Sequence, residues 1–92
     1  MSTNDAAPIP YEHIVATEFE GDEGVLVDLN AKRYYQLNET AMFIWRCLEK
    51  GQPVSEIVGE MTNAYDVSSE QAAASIERLL LHLQTHKLIQ TK

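Results

Sequence analysis

The sequence predicts an α+β domain, with three short antiparallel strands followed by three helices. Three observations predict it. Up to Asn38, apolar residues recur with a period near two in short blocks; from there the period lengthens to about 3.6; and turn-forming clusters such as "EGDEG" separate the blocks. With 92 residues, 45% of them hydrophobic, the chain suits one domain with an adequate core and excludes two.

Residues 1–11 are small and polar, carry "PIP" near their end, and read as a flexible tail leading into a single domain over 12–92. "HIVATEF", from His13 to Phe19, mixes β-branched and aromatic residues and predicts the first strand, closed by the hairpin signal "EGDEG". In "GVLVDLN", Val25, Val27 and Leu29 alternate with Leu26 and Asp28. The first set is expected to pack on the core and the second to form a mixed face. "NAKR" supplies a turn into "RYYQLN". There Tyr35 and Leu37 are expected inward, with Arg33, Tyr34 and Gln36 arranged around the other side and the ends of the strand.

Ala41, Ile44, Trp45 and Leu48 share one stripe of the first helix, which Asn38 or Thr40 caps. Gly51 and Pro53 end it and open a second helix carrying Val54, Ile57, Val58, Met61 and Tyr65 at helical spacing. "SSEQ", from Ser68 to Gln71, matches a capping box, and Val67 is placed to staple onto Ala72 across the first turn. The core stripe of this third helix is Ala72, Ile76, Leu79, Leu80 and Leu83. Leu81 falls on the opposite side, beside Ala74, Arg78 and Thr85, and reads first as a cover for a neighbouring loop.

Charge narrows the function. Fourteen acidic residues against seven Lys and Arg give a formal net charge of -7, a field that repels phosphate backbones and anionic lipid headgroups. Cys47 stands alone among apolar neighbours and reads as a buried thiol in a reducing compartment. No apolar run approaches the roughly 20 residues of a membrane span, and the first residues lack the pattern of a signal peptide. A cytoplasmic protein that binds neither nucleic acid nor membrane is expected. His82 and His86 stand at i and i+4, but "LQT" between them lacks a hydrolase glutamate and no third ligand is evident, so neither a metal nor a cofactor is expected. No pairing of nucleophile and base emerges, and no catalytic residue is assigned.

Taken together, "GVLVDLNAKRYYQLNETAMFIWRCLEKG", "PVSEIVGEMTNAYDVSSEQAAASIERLLLHL" and the terminal "LI" resemble the PqqD family, the pyrroloquinoline quinone biosynthesis protein D type. The likeness is greatest to its stand-alone recognition domains in pathways that modify ribosomally made peptides. It runs from about His13 to Ile89 and rests on "VDLNAKRYYQLNETA", on Ile44 with Trp45, and on "YDV" before the last helix.

The resemblance implies a winged helix-turn-helix-like fold without catalysis. It also implies a site at which the leader segment of a precursor peptide adds as a strand to the third strand, in a groove against the third helix. On this chain the third strand is Arg33, Tyr34, Tyr35, Gln36 and Leu37, and Arg33 is placed to pair with an acidic residue of the peptide. The helix wall comes from 73–82, lined by Ser75, Arg78, Leu79 and His82 on one side of the core stripe or by Ala73 and Glu77 on the other. The sequence leaves both sides open. Tyr34 reads equally as a peptide contact and as an ordinary cross-strand aromatic. The implied partners are the precursor peptide and a separate modifying enzyme such as a radical S-adenosylmethionine protein, a cyclase or a leader protease. The same strand edge also suits pairing into a homodimer. The alternative is a winged-helix DNA-binding regulator, disfavoured by the charge and by a third helix with Arg78 as its only arginine.

Overall fold

The computed structural model describes residues 7–90. Strands β1 (Ile9–Pro10), β2 (Ile14–Glu18), β3 (Gly24–Asp28) and β4 (Arg33–Leu37) are followed by helices α1 (Glu39–Glu49), α2 (Val54–Ala64) and α3 (Ser69–Thr85), then by β5 (Ile89–Gln90). The expected α+β order therefore holds, and the three anticipated strands are β2, β3 and β4. They form one antiparallel sheet in the order β2-β3-β4, leaving β4 at an edge.

The two chain ends depart from expectation. Ile9 and Pro10 pair antiparallel with Gln90 and Ile89, and the Tyr11 N–H donates to the Leu88 carbonyl at 3.2 Å. Pro8 is already buried. The fold thus begins before Tyr11; residues 1–6 of the expected tail lie outside the described residues. Local composition hid the strand because its partner lies at the opposite end of the chain. The reversal after α3 brings them together: Leu88 N–H donates to the Leu83 carbonyl at 2.8 Å and Lys87 N–H to that of Gln84 at 3.0 Å, the two bonds of a Schellman ending. Lys87 takes the left-handed position, at φ +59°, where glycine is ordinarily favoured. The same ending closes α1, with Gly51 at φ +79°.

In β3 the expected faces are reversed. Leu26 is fully buried and Gly24 and Asp28 face inward with it, whereas Val25 and Val27 are half-buried and Leu29 is exposed. Two local features allow this. A Cβ on Gly24 would stand 2.5 Å from the Thr17 carbonyl oxygen and 2.8 Å from Met42 Sδ, so the inward face needs glycine there. Asp28 satisfies its buried carboxylate within the following turn, where Oδ1 accepts from the N–H groups of Asn30 (3.0 Å) and Ala31 (2.9 Å). Apolar periodicity alone favoured the valines, since it cannot register a carboxylate that its own turn solvates.

The helices follow their sequence signals. Asn38, not Thr40, caps α1, its side-chain oxygen accepting from Ala41 N–H at 2.9 Å. Ser68 and Gln71 close a reciprocal capping box on α3. α2 ends before Tyr65, which is already extended. Leu26, Met42, Ile44, Trp45, Leu48, Ile57, Ile76, Leu83 and Leu88 form the centre of the core, with Leu79 and Leu80 half-buried against it. Leu81 is 65% exposed, the outlier that its helical position implied.

Cys47 lies in this core, and burial pushes its thiol pKa above the ordinary value, reducing the thiolate at any given pH. Native protein at pH 8 is expected to react with a thiol-specific chromogenic disulfide at least about tenfold more slowly than unfolded protein. Equal rates in the two states would contradict the burial.

Candidate functional site: the β4 edge and the α3 groove

Two backbone hydrogen bonds fix the phase of the sheet's ladder. Phe19 N–H donates to the Glu23 carbonyl and Leu29 N–H to that of His13, so in the β2–β3 pair the odd-numbered residues exchange hydrogen bonds. Alternation then turns the backbone groups of Leu26 and Asp28 toward β4, where they face Tyr35 and Arg33. On β4 the consequence is specific. The N–H and C=O groups of Arg33, Tyr35 and Leu37 point to β3, whereas those of Tyr34 and Gln36 point to the open edge.

Side chains follow the same alternation. Leu37 is buried and Tyr35 half-buried beneath the sheet; Gln36 is exposed, and Tyr34 is 74% exposed opposite Val27. Tyr34 thus keeps a cross-strand neighbour yet is largely free. Arg33, expected around the other side or the ends of the strand, is exposed at the start of β4 and shares the phase of Tyr35, two residues on.

α3 runs alongside β4 in the opposite direction. Its middle turns, through Ser75, Arg78, Leu79 and His82, line a hollow of about 410 Å³ with Asn38, Thr40, Ala41 and Ile44. Its end, through Thr85, His86 and Lys87, lines a second hollow of about 360 Å³ with Asp28, Ala31, Arg33 and Tyr35. Aromatic rings join the two: Tyr35 and His86 centroids are 5.1 Å apart, and His86 and His82 centroids 4.6 Å. The structure therefore gathers Ser75, Arg78, Leu79 and His82 on the groove side. Ala73 and Glu77 line neither hollow. Asn38, Thr40, His86 and Lys87 also line these hollows; the sequence marks Asn38 and Thr40 as caps and His86 as a helical neighbour of His82, and Lys87 stands at the groove in a left-handed turn.

A third hollow, of about 240 Å³, lies at the start of α1 between Glu18, Asp22, Glu39, Met42, Phe43, Arg46 and Tyr65. Its cation is committed. Arg46 pairs with Glu18 at 3.0 Å and Glu49 at 2.9 Å, and those hydrogen bonds hold the guanidinium more firmly protonated than usual. Burial, reinforced by the Glu39 charge, pushes the Tyr65 phenol above its ordinary pKa.

Among the described residues, no group of three or more His, Cys, Asp or Glu is placed to hold a metal ion, and no helix is long and apolar enough to cross a membrane.

Residues 23–89 match the model of the family described as coenzyme PQQ synthesis protein D (PqqD). The chain belongs to the PqqD family. Two solved structures are similar to this PqqD-family chain. One is TbiB1 in complex with the TbiA(beta) leader peptide, at 26% identity and a TM-score of 0.82, covering 88% of this chain and 93% of that one. The other is lasso peptide synthetase B1 complexed with the leader peptide, at 25% identity and a TM-score of 0.82, covering 91% and 98%. Among curated proteins no significant sequence match is found. The match to the family model spans β4, α1 and α3, elements that line the two hollows.

Proposed function

We propose that this PqqD-family protein captures the leader segment of a ribosomally made precursor peptide and presents it to a separate modifying enzyme. The observation that carries the reading is the β4 edge, where the backbone groups of Tyr34 and Gln36 face outward beside a groove walled by α3. An extended peptide laid along that edge pairs with those groups, and its alternate side chains enter the groove. Arg33, Tyr35, Leu37, Ser75, Arg78, Leu79 and His82 meet the inward side chains, while Tyr34 and Gln36 flank the outward ones. Both similar structures are complexes with leader peptides, which favours a peptide-modifying pathway over cofactor synthesis.

The role is non-catalytic. Holding the leader raises the effective concentration of the adjoining core segment at a radical S-adenosylmethionine protein, a cyclase or a leader protease, and the chemistry stays with that partner. The test is fluorescence anisotropy with a labelled leader from the precursor encoded beside this gene, run in parallel with a labelled DNA duplex at physiological salt. Saturable binding of the leader alone is expected; retention of the duplex alone would overturn the reading.

A further inference from the structure

Cations are unevenly placed on this acidic protein. Among the described residues, three Lys and Arg side chains line the β4–α3 groove: Arg78 at one end, Arg33 and Lys87 at the other. One carboxylate among the described residues lines it, that of Asp28, which is buried and already accepts two backbone N–H groups. Among the described residues, Arg33, Arg78 and Lys87 make no ion pair, in contrast to Arg46 with its two carboxylates. Lys87 also holds its cation at the groove from a left-handed backbone position that glycine would occupy at lower cost.

Spacing gives this charge a pattern. Along β4, Arg33 at the Lys87 end of the groove is about 13 Å from Leu37, which leads into Asn38 at the Arg78 end. An extended strand covers about the same distance in four residues, and residues i, i+2 and i+4 of a strand share one face. Between the two basic ends the groove is lined by Tyr35, Leu79 and the histidine rings. We infer that the groove selects an acidic peptide segment with carboxylate side chains at i and i+4 and an apolar residue at i+2. The carboxylates meet Arg78 at one end and Arg33 with Lys87 at the other, and the apolar residue sits over Tyr35.

The inference rests on strand addition at β4 and deepens it by naming the sequence that the edge prefers. Its test separates the two. The isotope-labelled protein is titrated with capped nine-residue peptides of alternating threonine. They contain Glu-Thr-Leu-Thr-Glu, the same with both Glu replaced by Gln, and a version with the two Glu three residues apart. The first is expected to bind about tenfold more tightly than the others at low salt, a margin that shrinks toward unity at 0.5 M salt. Arg33→Gln with Arg78→Gln is expected to abolish the preference. Lys87→Gly is expected to weaken the first peptide about threefold while melting no earlier than the parent, which separates a lost charge from a damaged fold. If all three peptides shift the Tyr34 and Gln36 amides with equal affinity, charge selection is wrong and strand addition stands. If none shifts them, strand addition fails and this inference with it.

Discussion

Gln36→Pro is expected to weaken leader-peptide binding by at least about tenfold, while the melting temperature stays within a few degrees of the parent. The N–H removed is one that the ladder leaves pointing to the open edge, so no internal hydrogen bond is lost. Proline also imposes an extended conformation on the residue before it, which Tyr35 already has within β4. The loss therefore falls on the incoming strand, which forfeits a backbone partner and meets a ring where it had met a hydrogen. Tyr35→Pro is the matched control. Its N–H faces β3, and removing it breaks the pair with Leu26 in the middle of the sheet, so this variant is expected to unfold at markedly lower denaturant concentration. Two prolines one residue apart thus have opposite signatures, binding lost in one and stability in the other. Equal effects at both positions would contradict the ladder phase.

Trp45→Ala is expected to cost about 3–5 kcal/mol, read as the shift in a urea unfolding midpoint. Trp45 is fully buried, and its indole N–H donates to Glu49 Oε2 at 2.9 Å, so truncation opens a large cavity and also removes a satisfied hydrogen bond. Small domains carry roughly 5–15 kcal/mol in total, so the loss consumes a large share of it. Trp45→Phe retains most of the packing and is expected to lose less than half as much. An alanine variant as stable as the parent would mean that the helices do not converge on this residue.

The sequence made the inward face of β4 and the helical stripes legible for a physical reason. The burial of Leu37, Ile44, Trp45, Ile76 and Leu83, and the half-burial of Tyr35, follow local periodicity, and periodicity is written in neighbouring residues. The caps at Asn38 and Ser68 were legible because their donors lie within three residues. What was not legible depends on distant or non-apolar partners. β1 needs Ile89 and Gln90; the inward turn of β3 needs Met42 packed close to Gly24 and a carboxylate solvated by its own turn.

The groove shows the same division. The resemblance implies the strand and the helix, but which side of α3 faces them depends on tertiary packing, which sets Arg78 and His82 beside the start of α1. Arg33 is expected around the other side or the ends of its strand; it is exposed at the start of β4, in the strand phase of Tyr35, and lines the second hollow.

Hydrogen exchange at single-residue resolution tests strand addition most directly, with the protein measured free and saturated with leader peptide. The account predicts that the Tyr34 and Gln36 amides, fast in the free protein, become protected on binding, whereas Arg33, Tyr35 and Leu37, already bonded to β3, change little. Protection that skips Tyr34 and Gln36, or that falls on α3 alone, would contradict it.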